Sequence, residues 1–180
     1  MKVEETSLPG VLLIEPRLFD DERGWFLESW QSERYIAAGL PELSVQDNLS
    51  FSRRGVLRGL HLQHPQAQAK LCQVVAGEVF DVAVDVRPDS PGFGRWLGMR
   101  LSGETHQQLF IPEGFAHGFV VLSETALFSY RCSTAYAPEH EHTIRWDDPE
   151  LAIDWQIEEP IVSAKDRAGQ TLAEITDKLR

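Results

Sequence analysis

The stretch Val74-Val-Ala-Gly-Glu-Val-Phe-Asp-Val-Ala-Val-Asp-Val86 decides how the chain is read. Gly77-Glu78 breaks an apolar run, and Phe80, Val82, Val84 and Val86 then alternate with Asp81, Ala83 and Asp85. Side chains on a strand point to opposite faces with period two, so this pattern predicts a half-buried strand entered from a turn. Similar short segments lie on either side, at Val11–Ile14, Trp25–Trp30, Val56–Leu62, Trp96–Leu101, Gln108–Ile111, Gly118–Leu122, Ala126–Tyr130 and Thr143–Trp146, each bounded by Gly, Pro, Asp or Ser. Many short strands at regular spacing predict a sandwich or barrel. Helix signals are confined to Ser32–Ala38, stopped by Gly39, and to the stretch from Ser163, a candidate N-cap, through Leu179. No linker, repeat or low-complexity segment interrupts the 180 residues. The expectation is one all-β domain over residues 1–180, an antiparallel double sheet with short peripheral helices and an interior that can hold one small ligand.

Charge narrows the partners. Asp and Glu number 28 against 17 Lys and Arg, a net charge of -11, so the long-range field repels nucleic acid and anionic membrane surfaces. An anionic ligand must then be met by a local basic cluster. The opening MKVEETSLPG lacks the charged-then-apolar pattern of a signal peptide, and no apolar run approaches the roughly 18–20 residues of a membrane span, so the expected location is cytoplasmic. Cys72 and Cys132 both sit in strand-like apolar sequence and read as buried free thiols without a catalytic role.

In Gly55-Val-Leu-Arg-Gly-Leu-His-Leu-Gln63, alternation places Arg58, Leu60 and Leu62 on one face and Leu57, Gly59, His61 and Gln63 on the other, which leaves His61 able to face a cavity. Lys70 follows, and then Ile111-Pro-Glu-Gly-Phe-Ala-His-Gly118, which is similar to the second motif of the cupin family of jelly rolls. A cupin metal site would need a His-x-His pair followed closely by Glu. Here His61 and His64 are spaced to fall on opposite faces, and no Glu follows until Glu78, so the expectation is no metal. Taken one at a time, these residues have plainer uses. Arg23 follows Asp20-Asp21-Glu22 and suits a surface ion pair, Lys70 a solvated position, Tyr130 core packing, and Asp166 a cap on the C-terminal segment.

Five blocks, in order along the chain, are similar to the signature segments of the dTDP-4-dehydrorhamnose 3,5-epimerases: Val56-Leu-Arg-Gly-Leu-His61, Gly77-Glu-Val-Phe-Asp-Val-Ala-Val-Asp85, Ile111-Pro-Glu-Gly-Phe-Ala-His-Gly-Phe119, Tyr136-Ala-Pro-Glu-His-Glu141 and Ser163-Ala-Lys-Asp166. Collinear blocks over nearly the whole chain carry far more weight than any one motif. The resemblance implies a cupin-like jelly roll, no cofactor, and a dTDP-4-keto-6-deoxy sugar as substrate. It implies His61 as the base, Asp166 as the carboxylate that holds it, Tyr130 as the acid on the opposite face and Lys70 beside the substrate ketone. It further implies Arg23, Glu28, Gln46, Asn48, Arg58, His117, Glu141 and Lys165 as nucleotide or sugar contacts, and Tyr136 as an aromatic stacked on thymine. Family members are dimers that exchange N-terminal strands, which assigns Arg23 and Glu28 to the neighbouring subunit's pocket. Two departures affect pocket detail: Leu62 stands where an aromatic is common, and Arg131-Cys132-Ser133 replaces a Lys-Thr-Thr run. The alternatives left open are a single-carbon epimerase or ketoisomerase of the same fold, and a non-catalytic cupin-like binding module.

The chemistry gives these residue types a reason. A ketone at carbon 4 acidifies the protons on carbons 3 and 5, so the reaction needs a base, a donor for the enolate oxygen and an acid on the far face. A histidine held by a carboxylate, a lysine and a tyrosine supply them, while the arginine forks match diphosphate oxygens.

Overall fold

The structure is a computed structural model that describes residues 1–180. Two antiparallel sheets face one another. The first contains strands β1 (Lys2–Glu5), β2 (Leu12–Glu15), β5 (Gln46–Arg53), β7 (Lys70–Ala76), β10 (Gln108–Ile111) and β12 (Thr125–Cys132), in the order β1-β2-β10-β7-β12-β5. The second contains β6 (Val56–Gln63), β8 (Glu78–Asp85), β9 (Trp96–Ser102), β11 (Phe115–Val121) and β13 (Glu141–Thr143), in the order β13-β6-β11-β8-β9. β14 (Ile161–Val162) adds a short parallel pairing to β6, and β3 (Leu18–Asp21) with β4 (Gly24–Leu27) forms a separate hairpin. The double-sheet architecture is the one the sequence predicts. No helix is long and apolar enough to cross a membrane.

Three apolar layers hold it together. Between the sheets lie Cys72, Val74, Leu109, Ile111 and Phe128 from the first and Val79, Ala83, Leu101, Phe119 and Val121 from the second. The outer face of the second sheet is covered by the C-terminal chain, where Ile144, Leu151, Trp155, Leu172 and Ile175 pack on Leu57, Leu60, Phe80, Val82 and Val84. The outer face of the first sheet is closed by α1 (Ser32–Ala37) and the loop after it, through Tyr35, Leu40 and Leu43 on Ile14, Leu71 and Phe110. β8 is therefore buried on both faces, not half-buried as its alternation suggests. Its second face meets a layer supplied by residues 144–179, which a reading of local period does not see.

Other expectations are corrected in the same way. The C-terminal stretch from Ser163 to Leu179 is not one helix but α2 (Ala164–Arg167), α3 (Leu172–Ile175) and a 3-10 turn at Thr176–Leu179. The interruption has visible causes: Gln170 leaves the helix to bond Thr143 and Arg145, Thr171 opens a new capping box with Glu174, and buried Asp148 accepts the Leu172 N–H at 2.7 Å. The expected strand Thr143–Trp146 is β13 instead, ending at Thr143; Ile144 still exchanges both backbone hydrogen bonds with Leu60 of β6, and the Arg145 N–H then turns to the Gln170 carbonyl. The alternation assigned to β6 also fails. Arg58 and His61, an odd number apart, line the same cavity, while Leu57, Leu60 and Leu62 share the layer beneath the C-terminal chain. The phase slips at Gly59, where the β6–β11 register shifts between the His117–His61 and Phe119–Arg58 pairs. Only glycine fits there: φ is +116°, and a Cβ would lie 2.6 Å from the Gly118 Cα.

Candidate active site

Where the inter-sheet core gives way toward β5 and β6, the sheets enclose a cavity of about 520 Å³, within the usual size for a small-molecule site. The second sheet contributes Arg58 and His61 from β6 and His117 and Phe119 from β11. The first contributes Ser50 from β5, Lys70 from β7 and Tyr130 from β12, and the C-terminal chain closes the side with Ser163, Lys165 and Asp166.

His61 Nε2 lies 2.6 Å from Asp166 Oδ1. Asp166 is buried, and burial alone would raise its pKa. The hydrogen bond and charge of His61, with the Gly59 and Ser163 bonds, hold it below the usual carboxylate value instead. The carboxylate is therefore an acceptor and Nε2 the donor, which leaves Nδ1 as the ring nitrogen free of this bond. Ser163 earns its place as N-cap: its hydroxyl accepts the Asp166 N–H at 3.1 Å, which fixes the short turn that presents the carboxylate. Asp166 is thus capped by its neighbour and is not itself the cap.

Across the cavity, burial pushes the Tyr130 hydroxyl up to about 12, so it stays protonated through neutral pH. Lys70 is buried with no ion pair, and desolvation lowers its pKa, offset in part by Cys72, Cys132, Glu141 and Asp81. It stands at the cavity wall with no carboxylate at ion-pair distance. Arg58 Nε donates to Ser52 Oγ at 3.1 Å, and the residue lines the cavity. His117 Nε2 faces both oxygens of Asp81, at 3.0 and 3.1 Å.

A polar belt runs round the rim. Lys165 pairs with Glu141, whose Oε2 also accepts the Tyr136 hydroxyl at 2.8 Å. The Tyr136 N–H donates to Gln46 Oε1, and Gln46 Nε2 donates to Asn48 Oδ1. Burial would raise the Glu141 pKa, but Lys165 and Tyr136 hold it low. Eleven of the thirteen residues singled out in the sequence thus lie on the cavity or this rim. Arg23 and Glu28 do not. Arg23 sits on the β3–β4 turn bonded to Asp21, as the ion-pair reading has it, and Glu28 pairs with Arg34. His64 is outside the cavity lining, so it shares no site with His61. Two residues escaped the sequence reading: Ser50, whose signal was its place two residues after Asn48, and Asp81, whose signal was an acidic residue inside an otherwise apolar strand.

The sequence model of the dTDP-4-dehydrorhamnose 3,5-epimerase family matches residues 5–174. A dTDP-4-dehydrorhamnose 3,5-epimerase of Pseudomonas aeruginosa is 54% identical over 176 residues, covering 97% of each chain. One from Methanothermobacter thermautotrophicus is 49% identical over 173 residues, covering 94% of each. Among solved structures, the dTDP-6-deoxy-D-glucose-3,5-epimerase of Legionella pneumophila, in complex with dTDP-4-keto-L-rhamnose, superposes with a TM-score of 0.96 at 50% identity, covering 99% of this chain and 96% of that one.

Proposed function

The chain belongs to the dTDP-4-dehydrorhamnose 3,5-epimerase family, and from that premise we propose that its cavity converts dTDP-4-keto-6-deoxy-D-glucose to dTDP-4-keto-L-rhamnose, with His61 taking protons from carbons 3 and 5 and Tyr130 returning them. One observation carries the assignment of roles: a carboxylate-held histidine and a protonated tyrosine belong to opposite sheets and line one cavity. A base and an acid on opposite walls are what inversion through a planar enolate requires. His61 Nδ1 removes the proton, the imidazolium is stabilised by Asp166, and the enolate charge settles on the carbon-4 oxygen. Lys70 donates to that oxygen; a single preorganised donor of this kind typically contributes about 3–4 kcal/mol to the transition state. Tyr130 then gives its proton to the face His61 does not reach, and exchange with solvent resets both groups. Arg58 meets the diphosphate, His117 the sugar, and the Gln46–Asn48–Tyr136–Glu141–Lys165 rim the nucleoside, with Tyr136 stacked on thymine.

Each step is a proton transfer, so turnover should withstand exhaustive chelation. The working unit in this proposal is a homodimer that exchanges N-terminal strands. Supporting it, Arg23 and Glu28 lie outside this chain's own cavity, and the β3–β4 hairpin holds Phe19, Trp25 and Phe26 exposed, Phe26 to 67%. The outer face of β5 exposes Leu49 and Phe51, a patch that a second copy would cover.

The decisive experiment incubates purified protein with dTDP-4-keto-6-deoxyglucose in deuterated water and follows carbons 3 and 5 by NMR. Deuterium at both carbons of the inverted product is expected. Exchange confined to one carbon would make the protein a single-carbon epimerase, and no exchange at all would leave only a binding role.

A further inference from the structure

Asp81 is fully buried, yet its two oxygens share a single donor, His117 Nε2, at 3.0 and 3.1 Å. A carboxylate has about four lone-pair sites, and buried ones ordinarily fill several. Asp148, equally buried here, takes three backbone N–H groups, from Glu150, Leu151 and Leu172. Beside Asp81 stands Cys72, fully buried, its Sγ 3.7 Å from the same His117 nitrogen. The thiol sulfur, the imidazole nitrogen and a carboxylate oxygen all lie within 4.8 Å of one another. Bonds of about 2.0–2.3 Å from a tetrahedral zinc-like ion set its nitrogen, oxygen and sulfur ligands roughly 3.3–3.6 Å apart. Two of the three separations, 3.0 Å from His117 Nε2 to Asp81 Oδ2 and 3.7 Å from it to Cys72 Sγ, fall on either side of that range.

We propose that Cys72, Asp81 and His117 form a binding site for one zinc-like divalent cation, with a fourth position left for water. The three donors come from β7 of the first sheet and from β8 and β11 of the second, so a bound ion ties the two sheets together. Entry is through the cavity, since His117 is one of its lining residues. The balance is simple. The Cys72 S–H proton leaves to solvent as the thiolate takes the metal, the His117 proton is carried on Nδ1 while Nε2 binds, and the carboxylate binds as it stands. Two anionic ligands then neutralise the dication in a buried place, where an unbalanced charge would be costly. The ion has no part in the proton transfers proposed above, so this site stands or falls separately from them.

The test titrates CoCl2 into chelator-stripped protein and records its absorption. A thiolate-to-cobalt charge-transfer band in the near ultraviolet, with the visible bands of four-coordinate cobalt, should saturate at one ion per chain and be displaced by Zn2+. The thermal midpoint should rise with the metal, because a ligand that binds only the folded state stabilises it by mass action. Cys72→Val replaces the thiol by a group of similar size in an apolar wall and should lose both the band and the metal-dependent rise. Cys72→Ser repeats the test should the valine variant fold poorly, and Cys132→Ser should keep the band. Cobalt spectra without a thiolate band, or a band that survives loss of Cys72, would overturn the site, whatever the epimerase assay shows.

Discussion

β8 and β5 carry the same alternation with opposite outcomes. In β8 the apolar residues Phe80, Val82 and Val84 face a core, and even the acidic positions Asp81 and Asp85 are buried. In β5 the inward row, Gln46, Asn48, Ser50 and Ser52, is polar throughout, while Leu49 and Phe51 point outward at 64% and 62% exposure. In register, Asn48 lies opposite Tyr130 and Ser50 opposite Phe128, so the polar row belongs to the interior surface of the sheet. Period two reveals a strand but not which face is inside. Facing a core, the apolar row turns in; facing a cavity, the polar row does, and the displaced apolar row is left exposed.

That contrast can be broken by experiment. The largest effect should come from the cavity chemistry itself. His61→Ala should cost at least the 10²–10⁴-fold that general base catalysis supplies, and should stop solvent exchange with inversion in a variant shown by circular dichroism to be folded. Tyr130→Phe should be more informative. Exchange continues, deuterium enters with retained configuration, and the inverted product falls sharply; joint loss of exchange and inversion in a folded variant would defeat the two-wall assignment.

Next in size, Phe80→Ala in β8 should destabilise by about 3–5 kcal/mol, a cost typical of emptying a buried aromatic site, and leave kcat of the surviving enzyme nearly unchanged. Calorimetry beside steady-state kinetics would separate the two. A large kcat loss at full stability would mean β8 is not the inert wall described here. The outward row of β5 should behave differently again. Leu49→Lys with Phe51→Lys should convert a dimer to a monomer by light scattering, with little change in the chain's own secondary structure. A monomeric wild-type protein at micromolar concentration would remove the proposed partner.

The smallest effect is a pH limb. Lys70 has its pKa lowered from 10.5 by burial, whereas Tyr130 is raised to about 12. As pH rises Lys70 therefore deprotonates first, taking away the enolate donor while the tyrosine acid is still intact. The alkaline limb of kcat/KM should fall with a midpoint below 10.5, and Lys70→Arg, slower but permanently charged, should push it higher. A wild-type limb near 12 would belong to Tyr130 instead.

How far the sequence disclosed all this follows the same division. β8 was legible because its composition and its period agree; His61 and Asp166 stand inside the collinear blocks, whereas Lys70 and Tyr130 lie outside all five and were singled out only through the resemblance those blocks establish. β5 went unread because Gln46-Asp-Asn-Leu-Ser-Phe-Ser-Arg53 turns its polar side inward, which a search for apolar alternation passes over. The phase slip at Gly59 was unreadable for a different reason: it depends on contact with Gly118, 59 residues away. Asp81 looked like the solvent face of a half-buried strand until the inter-sheet layer enclosed it.

The His61–Asp166 hydrogen bond joins residues 105 positions apart, and Asp166 comes after every strand of both sheets and after β14. Protein synthesis proceeds from the N-terminus, so the strands of the two sheets can pair before the turn that carries Asp166 has left the ribosome. A nascent chain at that point has a cavity still open on the side that Ser163, Lys165 and Asp166 close, and a histidine without its carboxylate. Emergence of that turn, rather than pairing of the strands, is then the event that gives His61 its carboxylate.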